Sequence, residues 1–340
     1  MLRIEGNGVQ VRNLWVRNSG PDPQSNDAGI WISADDVQVT GSRITESTFG
    51  IWMDGVSDVL VKNNTIVGQE DVFPLSSRGN GIQIWKSEDS LVEGNRITDV
   101  RDGIYYSWAS EVLGRENVMW NLRYGVHYMY SDDCSLRSNV SFDNDSGYAL
   151  MVSENLKLVD NLAVNNYGNS GHGILLKSID NTALRNNTLI RNGNGMYVYN
   201  SLDNTIVENL VLENETGVHL TAGSVRETVH GNSFIANGEP VRASIGEQVI
   251  WNSEKRGNFW SRAYTADVDG DGVSEIRYRP AGILERLAVR KPLVRIFERS
   301  PAFAIIRLAE SSVPLIESAG VVDYHPLVDP TRPDWSQFYE

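Results

Sequence analysis

Gly125-Val126-His127-Tyr128-Met129-Tyr130 is the stretch whose reading decides the fold of this 340-residue chain. Its glycine falls on a beat. Gly103, Gly125 and Gly147 stand about 22 residues apart, and Gly173, Gly195 and Gly217 keep the same interval. The positions one and three after each glycine are apolar: Ile82 and Ile84, Ile104 and Tyr106, Val126 and Tyr128, Ile174 and Leu176, Met196 and Val198, Val218 and Leu220. Side chains two apart on a strand share a face, so these positions form one inner face. A second strand carries Val61, Val92, Leu136, Leu158, Leu184 and Ile206. A third carries Ile66, Ile97, Leu189 and Val211. Between them an asparagine recurs: Asn64, Asn95, Asn117, Asn139, Asn161, Asn187 and Asn209, with Asn232 one place late. Asparagine tolerates a sharp left-handed corner and stacks amide to amide up a solenoid.

Three short strands and three turns per repeat predict an all-β, right-handed parallel β-helix, right-handed because parallel crossovers overwhelmingly are. A leucine-rich repeat has a similar period, but it needs a helical segment in each repeat. Here β-branched residues and Asn/Gly turns dominate instead. The β-helix is expected over residues 1–252, interrupted by a turn-rich insertion at 68–80 that contains Gly68, Pro74, Gly79 and Asn80. An Asp-rich loop and end cap follow over 253–282. Residues 283–340 read as C-terminal helices and an extended tail, with Pro292, Pro301 and Pro314 breaking the helical pattern into short pieces. The first residues look like the middle of a repeat, and the chain reads as beginning inside a longer protein.

Composition narrows the function classes. Acidic residues outnumber basic ones 44 to 30, giving a net charge of −14 and arguing against nucleic acid as a partner. The single cysteine, Cys134, excludes an internal disulfide. No apolar run is long enough to read as a membrane-spanning helix. No phosphate-binding glycine loop followed by Lys-Ser/Thr occurs, so any ATP hydrolysis belongs to a partner.

The Gly-Ile/Val strands with Asn turns lead into Gly257-Asn258-Phe259-Trp260-Ser261. Then come the segment DVDGDGVSEIRYRP from Asp267 and a proline-broken segment ending in Val321-Val322-Asp323-Tyr324-His325-Pro326. This combination resembles the NosD family, β-helix proteins of nitrous oxide reductase maturation. The resemblance covers most of the chain and is carried chiefly by the post-helix segment. It implies a periplasmic maturation factor that delivers Cu(I) or a sulfur species. The partners it implies are the permease and ATPase of an ABC transporter, a copper chaperone and nitrous oxide reductase. Members carry a signal peptide and further coils before the point where this chain starts.

Several residues carry candidate chemistry. His127, Met129 and Met151 are expected to converge on the outer face of successive coils, framed by Trp85 and Tyr105. One imidazole and two thioethers suit a transient Cu(I) site. The bland alternative is an exposed aromatic–methionine surface used for protein contact. Asp267, Asp269 and Asp271, with Glu275 at the ninth position, match the start of a Ca²⁺ loop, or else form a plain acidic turn. Asp132-Asp133 and Gly171-His172-Gly173 are similar to motifs of polygalacturonases, which keeps open a carbohydrate-binding or polysaccharide-cleaving β-helix. That role needs two carboxylates held across one glycosidic bond. Phe297, Phe303, Ile305 and Ile306 are candidate exposed apolar residues for docking on the transporter's membrane subunit.

Overall fold

The computed structural model describes residues 1–20, 25–169, 171–221, 223–246, 248–280, 287, 291–297, 300–303, 305–306 and 320–338. The chain winds as a parallel β-helix built from three sheets of 11, 10 and 11 strands, each strand pairing with its counterpart in the coils before and after. The first sheet contains Asp102–Ser107, Tyr124–Met129 and Ser146–Glu154, paired in parallel with Val126 opposite Ile104 and Tyr148. The expected inner face is the core: Ile104, Tyr106, Val126, Tyr128, Ile174, Leu176, Met196 and Val198 are all buried. The second and third strands supply Val61, Val92, Leu136, Ile66 and Ile97 to the same core. One glycine makes room for a large core side chain. A Cβ on Gly114 would strike the Tyr106 hydroxyl, at a position where other coils place valine or leucine.

The glycine beat has a steric cause. A Cβ on Gly125 would lie 2.7 Å from the carbonyl oxygen of Gly147, and one on Gly147 would lie 2.6 Å from that of Gly173. Stacked backbones approach so closely at this corner that no side chain fits.

The asparagines form a ladder. Each Nδ2 from Asn64 to Asn232 donates to the Oδ1 of the next asparagine at 2.8–3.0 Å. A second ladder, five residues on, joins Asn144, Asn166, Asn192, Asn214 and Asn237 through backbone N–H to Oδ1 bonds of 2.9–3.1 Å.

Stacking runs past residue 252. Phe259–Trp260 pairs with Ser233–Ile235 as the last strand of the third sheet. Asn258 extends the first ladder, and Asp323 ends it: its Oδ2 accepts from Asn258 N at 2.7 Å and Trp260 Nε1 at 2.8 Å. Trp260 stacks on Phe234 with a centroid distance of 4.3 Å and closes the core beside Trp251. The strand Gly320–Val322, which pairs with Gln248–Ile250, brings Asp323 to this place. The motif-like residues of the post-helix segment therefore plug the end of the solenoid.

Of the helices expected over 283–318, most positions lie outside the described residues. Pro292–Phe297 is a 3-10 helix, and 301–303 and 305–306 are helical. Phe297, Ile305 and Ile306 are exposed as expected, but Phe303 is buried, which removes it from any exposed apolar face. No helix among the described residues is long and apolar enough to cross a membrane.

Candidate functional site

The outer face of the first sheet carries the ligand-type residues. His127 lies directly between Tyr105 and Ala149 of the neighbouring coils, and Met129 pairs in register with Met151. Both methionines are half-buried. The Met129–Met151 juxtaposition expected from the repeat is thus present in the strand pairing.

His127 points outward yet is only 8 % exposed. Tyr105 lies over its ring at 4.6 Å between centroids, and Tyr124 packs edge-on at 5.1 Å. Strand alternation assigns a face, but it does not register the neighbouring rings that cover that face. The same holds for Trp52, which stacks on Trp31 at 5.0 Å and is buried with Phe49. Trp85 packs against that cluster. It shares the column of Met129, but Ser107 separates the two.

Beneath His127 lies a carboxylate that the repeat pattern did not reveal. Asp102 is fully buried and accepts a hydrogen bond from His127 Nδ1 at 3.0 Å. The Arg123 guanidinium grips the same carboxylate at both oxygens, at 2.8 and 2.6 Å. Burial pushes the Asp102 carboxyl up, but the hydrogen bonds from His127 and Arg123 outweigh it and hold the group below its ordinary value. In a neutral imidazole, an ionised Asp102 selects the tautomer with the proton on Nδ1 and the lone pair on Nε2. Nε2 is buried and, among the described residues, has no hydrogen-bond partner. Counting by two from Ile104 puts Asp102 on the inner face, whereas its carboxylate lies on the outer one. The readable signal was its position directly before a beat glycine, shared with Tyr124.

A second aromatic–histidine group follows along the sheet. His172 stacks on Tyr197 at 4.8 Å, and Tyr197 meets His219 edge-on at 4.8 Å. Burial lowers the His172 imidazole to about 4, and its Nδ1 accepts from Asn194 Nδ2 at 3.1 Å. His172 begins its strand, while Asp132 and Asp133 sit in the turn beyond the end of Tyr124–Met129. The length of the strand separates them, and Asp132 accepts from the backbone of Glu154 at 2.8 Å. The residues similar to polygalacturonase motifs are not brought together.

In the end cap, carboxylate oxygens of Asp267, Asp269 and Glu275 lie within 4.8 Å of one another. Asp271 is outside this group and accepts from Val273 N at 2.8 Å. Asp267 receives the backbone N–H groups of Gly270 at 2.7 Å and Gly272 at 3.0 Å, whose positive φ angles make the tight loop.

Residues 62–265 match the family described as NosD, periplasmic copper-binding protein. A Pseudomonas aeruginosa protein named "Probable ABC transporter binding protein NosD" is 36% identical over 344 residues, spanning 96% of this chain and 79% of the relative. A Stutzerimonas stutzeri protein of the same name is 34% identical, spanning 96% and 78%. Among solved structures, the tailspike protein of E. coli bacteriophage HK620 aligns with a TM-score of 0.53 at 13% identity, covering 73% of this chain and 59% of its own, a likeness of fold alone. A repeat glycine cleared for backbone stacking, an asparagine ladder ended by Asp323 and these relatives agree: the chain belongs to the NosD family.

Proposed function

We propose that this chain is a periplasmic copper-handling protein that accepts Cu(I) and passes it on in concert with an ABC transporter, during maturation of nitrous oxide reductase. The observation that supports this reading most directly is the outer-face group His127, Met129 and Met151. Two methionines pair in register on adjacent coils, and an imidazole held by Asp102 has no partner for its other nitrogen among the described residues. Thioethers select Cu(I), and a neutral imidazole suits copper as well. A set without thiolate binds loosely enough for transfer. Because His127 Nε2 is enclosed by its surroundings, Tyr105 or Tyr124 would have to shift for the imidazole to join the ion.

The test is competition for Cu(I) with a chromogenic chelator under reducing conditions. His127→Ala, Met129→Ala and Met151→Ala should each weaken binding by about tenfold or more. Wild-type affinity in all three would sink the site. The exposed Phe297, Ile305 and Ile306 are proposed to meet the transporter's membrane subunit. We further propose that Asp267, Asp269 and Glu275 hold Ca²⁺ as a structural ion. A melting temperature unmoved by Ca²⁺ or by a chelator would argue for a plain acidic turn.

A further inference from the structure

From Phe49–Asp54 to Thr216–Thr221, the first sheet turns a left-handed corner just after each strand, or inside it in the longer strands Ser146–Glu154 and His172–Asp180. In successive coils that corner is filled by Gly55, Lys86, Trp108, Tyr130, Val152, Ser178, Asn200 and Gly223, all with positive φ. Glycine and asparagine suit this conformation, whereas a bulky or β-branched side chain there costs about 1–2 kcal/mol. Yet three consecutive coils place Trp108, Tyr130 and Val152 at it, with φ of 56°, 52° and 52°. These side chains are not repaid by burial: they are 56 %, 43 % and 39 % exposed. The rings of Trp108 and Tyr130 stack at 4.7 Å with an interplanar angle of 18°, forming a ridge along the solenoid. Tyr130 directly follows Met129, and Val152 directly follows Met151, so the ridge borders the thioethers.

On its other side the ridge is bordered by charge of one sign. Glu88, Asp89, Glu111, Asp133 and Glu154 are exposed in the adjoining turn, with Asp132 half-buried among them. Among the described residues none of these carboxylates takes part in an ion pair, although Lys62, Arg115, Arg185 and Arg226 elsewhere on the coils do. An apolar strip beside uncompensated acid is complementary to a basic protein surface with an apolar centre. It repels an anionic polymer, and Val152 offers no ring on which a sugar could stack.

We propose that Trp108, Tyr130 and Val152 are the docking ridge for a partner protein whose contact surface is basic around an apolar or methionine-bearing centre, seated beside Met129 and Met151. The purpose assigned to this contact, exchange of the ion, rests on the copper reading; the contact itself can be measured without metal. Fixed by the ridge and steered by the acidic turn, the partner would place its own ligands against the thioethers.

The test uses the full chain and fluorescently labelled synthetic peptides of alternating methionine and lysine, or methionine and glutamate, followed by anisotropy without copper. The lysine peptide should bind, with an affinity that falls as salt rises. The glutamate peptide should bind at least about tenfold more weakly. The triple substitution Trp108→Asn, Tyr130→Asn and Val152→Asn should weaken binding of the lysine peptide at least about tenfold while leaving Cu(I) affinity in the chelator assay unchanged. It should also raise the melting temperature, because asparagine relieves the left-handed strain. Failure of the lysine peptide to bind, equal binding of both peptides, or undiminished binding by the triple variant would each overturn the ridge. Failure of the copper reading looks different: wild-type protein would not hold Cu(I), yet the lysine peptide would still dock.

Discussion

Asp102 and Arg123 set what His127 can do. Replacing Asp102 by Asn keeps its size but presents only one carbonyl oxygen, which Arg123 claims, and turns an amide N–H toward His127 Nδ1. Nδ1 must then accept, the ring proton moves to Nε2, and the lone pair needed by a metal is lost. Asp102→Asn is therefore expected to reduce Cu(I) affinity by about tenfold, while the methionine contribution stays. Equal affinity in wild type and variant would remove Asp102 from the site. A second residue-scale prediction concerns Glu227. It is buried beneath the turn between the first two sheets, where it accepts from Asn204 N at 3.0 Å and Asn204 Nδ2 at 3.3 Å. Burial pushes its carboxyl up to about 8 from an ordinary 4.5. The native state thus keeps a proton that the unfolded chain releases above pH about 4.5, so this contribution is full at low pH and is lost as pH rises through about 8. Glu227→Gln, which mimics the protonated acid, should flatten the decline of stability between those values in denaturant titrations.

At the scale of elements, the asparagine ladder carries the turn that joins the second and third sheets. Asn139 donates to Asn161 Oδ1 and Gly114 O, and accepts from both nitrogens of Asn117. Alanine there strands several buried polar groups, each costing about 1–3 kcal/mol. Asn139→Ala should destabilise the chain by about 3 kcal/mol or more, readable as a shift of the denaturation midpoint. Asp323 closes the same ladder, and its loss leaves Trp260 Nε1 and the backbone N–H of Asn258 unpaired inside the end cap. Asp323→Ala should cost about as much. If it proved harmless, the plug would be ornamental.

For the whole molecule, the excess of acid and the separation of Asp132 from His172 bear on activity. Incubation with polyuronates is expected to release no reducing ends. Turnover lost in Asp133→Asn would reverse that expectation. The C-terminal region divides by role. The strand Gly320–Val322 and Asp323 belong to the solenoid's closure, so truncation before residue 320 should lower stability. Replacing 284–318 by a short linker should instead spare the melting temperature and weaken co-purification with the transporter's membrane subunit.

Periodicity by itself determined the parallel β-helix, its inner face and the Asn64–Asn232 ladder. Each is a local rule repeated at one interval: alternation sends Ile104 and Val126 inward, and Gly125 is small because the next coil's carbonyl lies against it. The register that sets Met129 beside Met151 follows from the same arithmetic. The second ladder was legible too, since Asn144, Asn166, Asn192, Asn214 and Asn237 trail the first by a constant step. What only the tertiary structure decided lies across coils and across the period. Asp102 reaches His127 from the preceding coil and from a position where counting by two fails. Rings from two adjacent strands cover an outward histidine. Asp323, 65 residues from Asn258 along the chain, completes its ladder. A repeat states where each side chain starts, but burial and hydrogen bonding depend on which side chains the neighbouring coils bring to meet it.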